Sequence, residues 1–309
     1  MEELGRKEGV SIRTTCQVLG YSKQAYYKSK KVQQHRQEEA EAIRQQVKYI
    51  RRHMPRIGTR KLHYLLKEHM HQTGIYIGRD RLFDVLRAGH LLIKRKRRYA
   101  CTTDSRHNMR KYPNLIKHLS VEHPEQVWVA DITYLTLKGG FNYLHLITDA
   151  YSKQIMGYCL SDTLSTEHTL KALDMAMHKR CYTHALIHHS DRGTQYCSAM
   201  YTEGLKQKTI SISMTRGGNP YDNAIAERVN GILKDEYGLH ETFTDRSQLE
   251  RHVQQAIYSY NHQRPHLSNY MLTPNEMHQQ NQLTPKTWNK KTTRTLQSSC
   301  GFLPSPNIT

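Results

Sequence analysis

From Val127 the chain changes texture. "VWVADITYLTL" alternates like a strand, "KGG" breaks the run, and "FNYLHLITDAYS" and "QIMGYCLSD" resume it. Alternation with period two marks a half-buried strand, and a short Gly-containing break between two such runs reads as a hairpin turn. Three strands joined this tightly form an antiparallel meander. Beyond it the pattern switches. A helix in "STEHTLKALDMAMHKR", with Ser165 or Thr166 near its cap, leads to a short apolar strand, "ALIHHSD". A helix near 198–208, the strand "ISISMT" and a helix opening near 223 follow. The order βββαβαβα predicts an α/β fold built on a mixed sheet. Another helix over about 247–260 leads into "YNHQRPHLSNYMLTP", and the tail 279–309, rich in Gln, Thr, Pro and Ser, is expected to lack regular structure.

The first 120 residues have a different character. They hold 28 Lys and Arg against 10 Asp and Glu, whereas residues 121–309 hold 18 against 17. Nearly all of the formal charge of +19 therefore lies in the N-terminal two fifths, which points to a polyanionic partner, DNA or RNA, because Lys and Arg displace counterions condensed on phosphates. Residues 1–35 contain a short helix-turn-helix-like segment. Over 11–31, Ser11 caps one short helix, Gly20 breaks it and Ser22 caps a second, with Ile12, Val18 and Leu19 expected to pack against Ala25 and Tyr26. A Gln- and Glu-rich helix over roughly 33–53 connects it to the rest of a helical, helix-turn-helix-like DNA-binding domain at 36–93. There "TRKLHYLLKEHM", with Thr59 as its cap, sets Leu62, Leu65 and Leu66 on one face, and "RDRLFDVLRAGHLL" repeats the pattern. Residues 94–120 read as a basic linker able to track phosphates, led by Lys94, Arg95, Lys96, Arg97 and Arg98.

Several classes fall away. Six scattered cysteines include no C-x-x-C pair, which argues against a zinc ribbon and a disulfide framework, and histidine pairs such as His188/His189 lack partners at zinc spacing. No apolar run is long enough to span a bilayer, and "MEELGRKEGV" lacks the apolar core of a signal peptide. A cytoplasmic, nucleoid-associated protein with no membrane partner is expected.

Three acids stand where strands end or a helix turns inward. Asp131 lies on the first strand among Val129, Ala130 and Ile132, Asp191 ends the fourth strand before a Gly-containing turn, and Glu227 lies on the helix in "NPYDNAIAERVNGILKDEY". Each has an ordinary reading: Asp131 paired with a buried Arg, Asp191 bracing its turn, Glu227 solvated. In this strand order the first and fourth strands are neighbours, so the three could instead converge. Converging carboxylates repel unless cations neutralise them, and a hard, oxygen-seeking ion such as Mg²⁺ suits that set.

The strings "VWVADITYL", "HHSDRGTQY", "NPYDNAIAERVNGILKDEY" and "YNHQRPHLSNYMLTP" resemble the successive motifs of bacterial insertion-sequence transposases of the OrfB type, whose DDE core is similar to that of retroviral integrases. The resemblance covers about 40–277. Asp191 and Glu227 have 35 intervening residues, the spacing of this DDE subclass, and Asp131 precedes Asp191 by 60 positions. It implies a ribonuclease-H-like catalytic core, over 121–278, and a DNA transposase that cleaves element ends and transfers the strand. Asp131, Asp191 and Glu227 become metal-binding catalytic residues holding two Mg²⁺ ions, with Mn²⁺ able to substitute. Lys234, on the Glu227 face, and Arg228 are read as DNA contacts, Asn223 as a support that orients Glu227, and Trp128 as a support of the sheet. Asp222 is read as the helix cap, and Asp235 and Glu236 as surface charge. Asn261, Arg264, Pro265 and His266 either brace the core or touch DNA. The partners implied are the terminal inverted repeats and target DNA, further copies of the chain assembled on DNA, and an upstream-frame OrfA partner or fusion. One departure is the lack of the H-x-x-H plus C-x-x-C module that precedes retroviral cores. A nuclease that cuts without joining, or a DNA-binding regulator that no longer cuts, are the competing functions.

Overall fold

In the computed structural model, which describes residues 11–93, 108–216 and 223–286, the alternating run from Val127 forms the centre of a sheet. Strands β1 (Val127–Leu137), β2 (Gly140–Asp149) and β3 (Ile155–Ser161) make the expected meander, in register from Trp128↔Asp149 to Leu137↔Gly140 and from Tyr143↔Ser161 onward. β4 (Ile187–Ser190) and β5 (Ser211–Met214) add in parallel, giving the order β3-β2-β1-β4-β5. Helices α5 (Thr166–His178), α7 (Ala199–Gln207) and α8 (Ala224–Tyr237) occupy the expected places. The mixed sheet has the ribonuclease-H-like order. The additional short elements include a four-residue helix α6 (Thr194–Cys197) and a two-residue strand β6 (Thr242–Phe243) that pairs with β1 beyond the end of β4.

The sheet has two covered faces. Trp128, Ala130, Ile147 and Met156 pack with Ala172, Leu173, Tyr201 and Leu205 on the α5/α7 side. On the other side, α8 and α9 (Arg246–His262) join Leu135, Leu144, Leu146 and Ile155. Because successive strand residues point to opposite faces, the odd-numbered residues of β1, Asp131 among them, look toward α8.

The N-terminal helices join that second core. α3 (Thr59–Thr73) and α4 (Arg79–Ala88) contribute Leu62, Leu66, Leu82 and Leu86, packed in one cluster with Val229, Ile232, Leu233 and Tyr237 of α8. The charge step between the two halves of the sequence therefore does not mark a gap in packing.

Three local expectations need correction. α1 (Ile12–Val18) and its cap Ser11 form as expected, and Gly20 takes the left-handed φ of 71° that ends it. The next helix is not short: α2 runs from Lys23 to His53 without interruption, through the boundary drawn at 35/36. It contains no Gly or Pro and is rich in good helix formers, so nothing between 31 and 33 stops it. Val18 and Leu19 do not pack against α2; they are 81% and 50% exposed, and Cys16 is the residue of α1 that is buried. Thr59 is the first residue of α3 rather than its cap, which is Gly58. Among the described residues no helix is long and apolar enough to cross a membrane.

Candidate active site

β1 and β4 are paired in parallel at Val127↔Ile187, Trp128↔His188 and Val129↔His189. Carried two residues further, that register sets Asp131 level with Asp191, one strand spacing away, about 4.8 Å between backbones. The 60-residue interval between the two acids is the register of the pair. Asp191 is the first residue past β4, and its Oδ1 accepts the Gly193 amide at 2.9 Å. The turn reading of Asp191 is therefore correct, and it leaves the second carboxylate oxygen outside that bond.

Asp131 is half-buried and is held on both oxygens. Oδ1 accepts its neighbour's amide, Ile132, at 3.0 Å, and Oδ2 accepts Asn230 Nδ2 at 2.8 Å. Its carboxyl is pushed up to about 7, first by burial and then by repulsion from Asp191, against the two hydrogen bonds; Glu227 adds a smaller repulsion. The three acids thus share one electrostatic neighbourhood. Among the described residues the partners of its carboxylate are the Ile132 amide and Asn230, not a buried Arg.

Glu227 sits in the first turn of α8 and is exposed, at the rim of the site. The helix turns its apolar side, through Ala226, Val229 and Leu233, to the cores and leaves Glu227 outside. Among the described residues no three His, Cys, Asp or Glu side chains are already arranged to hold a metal ion.

Two asparagines dock α8 beside the acids. Asn223, at the cap position, makes no capping bond; its Nδ2 donates to the carbonyl of Ala130 at 3.2 Å, the residue before Asp131. It orients the helix on β1 rather than Glu227 directly. Asn230 is the residue the sequence reading missed. Its signal was available, because it lies three positions after Glu227 and seven after Asn223, on neighbouring turns of one helix. Among the described residues the Oδ1 atoms of both asparagines are buried without a hydrogen-bond partner, and so are Tyr196 Oη and Trp128 Nε1. Trp128 is fully buried in the sheet core, in its expected supporting place. Tyr196, on α6 five residues after Asp191, lies near enough for both Asp131 and Asp191 to act on its hydroxyl.

Arg228 is exposed and lies within electrostatic reach of Lys61, Tyr260 and His266. Lys234 is half-buried, and its carbonyl accepts His240 Nδ1. Lys94, Arg95, Lys96, Arg97, Arg98 and Asp222 lie outside the described residues. Glu236 is not surface charge: Arg264 grips it through two bonds, Nε at 2.8 Å and Nη2 at 2.7 Å. Arg264, Asn261 and His266 are buried, and Asn261 pairs with both backbone groups of Ile155, so this motif braces the core.

Two family models described as integrase core domain match the chain, over residues 121–220 and 208–274. The 31 kDa protein of insertion element IS600 from Shigella sonnei is 38% identical over 255 residues, 81% of this chain and 92% of that protein. The transposase for insertion sequence element IS629 from the same organism is 30% identical over 270 residues, 84% and 88% of the two chains. Among solved structures, the HTLV-2 integrase catalytic core domain in complex with magnesium is 18% identical, covering 50% of this chain and 97% of that one, with a TM-score of 0.41.

Proposed function

The chain belongs to the insertion-sequence transposases with an integrase core, DNA-recombining polynucleotidyl transferases, and we propose that Asp131, Asp191 and Glu227 are the acids that carry its chemistry. The observation that carries the assignment is the 2.8 Å bond from Asn230 to Asp131. It ties the helix bearing Glu227 to the strand bearing Asp131, level with Asp191.

The donors suit a hard divalent cation. Two carboxylates on adjacent strands repel enough to raise one of them, and the Asn223 and Asn230 amide oxygens are buried without partners among the described residues. Mg²⁺ held by Asp131, Asp191 and Glu227, two ions per site with Mn²⁺ as a substitute, is the cofactor we propose. When bound, such ions lower the pKa of an attacking oxygen and stabilise the leaving one. The chain's own part is positional. Asn230 and the Ile132 amide fix the direction of the Asp131 carboxylate, the Gly193 amide fixes Asp191, and the exposed Glu227 leaves the rim open to a duplex.

The reaction then runs in two displacements. Water attacks a phosphodiester at the element's end, its oxygen staying on phosphorus while the proton goes to the freed 3′ oxygen. That 3′ hydroxyl next attacks a target phosphodiester in line, joining the strands and releasing a new 3′ hydroxyl. Neither step needs a covalent protein intermediate. The basic N-terminal helical region, with Arg228, Lys234 and the 94–98 run, is the surface we assign to the terminal repeats and target DNA. Assembly of several copies on DNA, with an upstream-frame partner, in the cytoplasm, completes the proposal.

Incubating the protein with Mg²⁺ or Mn²⁺ and labelled terminal-repeat DNA tests it. Joined products support the reading, cut-only products indicate a nuclease, and binding without either indicates a regulator. Glu227→Gln should abolish cutting and joining while leaving DNA binding nearly intact; full activity in that variant removes Glu227 from the triad.

A further inference from the structure

The helix that carries Glu227 is held at its far end by a second charged cluster. Glu236 lies nine residues on, about 14 Å along the axis. Its carboxylate takes both Arg264 bonds and the Lys61 ammonium at 3.4 Å, and its backbone carbonyl accepts the Arg56 amide at 3.1 Å. Three separate parts of the chain meet on this one acid: the N-terminal helices through Arg56 and Lys61, α8 itself, and the turn after α9 through Arg264. The Arg264 side chain is 2% exposed and that of Lys61 12%. A second tie, from Ser259 Oγ to the carbonyl of His53 at 3.2 Å, joins α9 to the end of α2.

Buried ion pairs are poor sources of net stability, since desolvation offsets their attraction; their attested use is to fix one geometry among several. Here the geometry fixed is the seat of α8 on the N-terminal helices. Glu227 is exposed, so where its carboxylate points depends on where the helix sits. From this juxtaposition we infer that Lys61, Glu236 and Arg264 form a positioning network through which the N-terminal helices set Glu227 against Asp131.

The network rests on the proposed role of Glu227, and it links two functions that the charge distribution separates. The half of the chain with the cationic excess also holds the helix of the third acid, so DNA engagement there and the assembly of the cutting site share one rigid contact. Lys61 is the member that reaches across. Burial presses it down to about 8, Arg264 repels it, and Glu236 pulls it back. Removing Lys61 leaves the Glu236–Arg264 pair and the Arg56 backbone bond standing and releases only the side-chain tie from α3.

Full-length Lys61→Met, Lys61→Arg and Glu236→Gln proteins test this. Unfolding temperature, affinity for labelled terminal-repeat DNA, and cleavage rate across a Mn²⁺ titration are the measurements. Lys61→Met is expected to keep its unfolding temperature and DNA affinity. It should cut at least ~10-fold more slowly at saturating DNA and need more Mn²⁺ for half-maximal rate, as a small misplacement set from far outside the reacting groups does. Lys61→Arg should restore most of the rate. Should Lys61→Met fail to fold, Glu236→Gln, which keeps shape and loses charge, is expected to give the same split. Wild-type cutting by Lys61→Met or by a folded Glu236→Gln overturns the network. So does a loss of rate that tracks loss of DNA affinity, or an Arg variant no better than Met. An inert Glu227→Gln beside a fully active Lys61→Met counts against the network alone, whereas an active Glu227→Gln counts against the triad.

Discussion

Asp131 shows how one carboxyl is prepared for its neighbours. Burial and Asp191 push it up to about 7, and the bonds from Asn230 and the Ile132 amide pull the other way. Of these supports, Asn230 is the one that side-chain chemistry can remove. Asn230→Ala should leave the fold in place, because the amide contributes one hydrogen bond, and should lower cleavage of terminal-repeat DNA by roughly 10–100-fold through a misdirected Asp131. A rate within twofold of wild type would show that Asn230 does not hold the acid in its working direction. The nearness of Asp131 to Asp191 was legible from the strand order, and the 60-position offset of the β1/β4 pairing agrees with it. Asn230 was hidden because a short polar residue on a helix looks like surface. Glu236 was misread for a different reason: its partners stand 28 and 175 positions away, and no local pattern carries them.

At the scale of elements, β3 and α5 approach closely at Gly157. A Cβ on Gly157 would lie 2.0 Å from the carbonyl oxygen of Ala172 and 2.8 Å from the amide nitrogen of Ala176. Both are backbone atoms of α5 that cannot swing aside. Gly157→Ala must therefore lift the helix from the sheet, and a destabilisation of about 3 kcal/mol, at the upper end of overpacking costs, is expected. Urea unfolding followed by circular dichroism measures it; a midpoint equal to wild type would mean that β3 and α5 part without cost. The elements whose period spans several repeats were all readable, from the meander to α9. β6 and α6 were not, at two and four residues. The split of α2 into two helices came from a change of composition near residue 33. Composition does not end a helix unless a breaker accompanies it.

The whole molecule is tied at its other end by a buried clasp. Glu125 and Asp149 are fully buried, and His278, on the short helix α10 (Pro274–His278), reaches both: Nε2 to Glu125 at 3.2 Å and Nδ1 to Asp149 at 3.5 Å. Glu125 also takes the amides of Cys181 and Tyr182, and Asp149 those of Glu125 and Ser152. One imidazolium thus joins the entry to β1, the end of β2, the approach to β4 and the C-terminal helix. Sequence could not disclose it, since its members lie up to 153 positions apart. Burial opposes the charge on His278, yet the bonds from Asp149 and Glu125 outweigh it and raise the group from 6.5 to about 9. A histidine raised in the folded state contributes fully below its unfolded value and loses that contribution as pH climbs through the folded one. The gap corresponds to about 3 kcal/mol, present below about pH 6.5 and gone above about pH 9. Lys61 and Lys153, each pressed to about 8 by burial, act in the opposite sense at higher pH, so the test is a difference. The stability of wild type minus that of His278→Gln should shrink steadily between about pH 6 and about pH 10. A difference that stays constant across that range would mean that His278 is neutral in the folded chain and that the clasp is held by its other bonds.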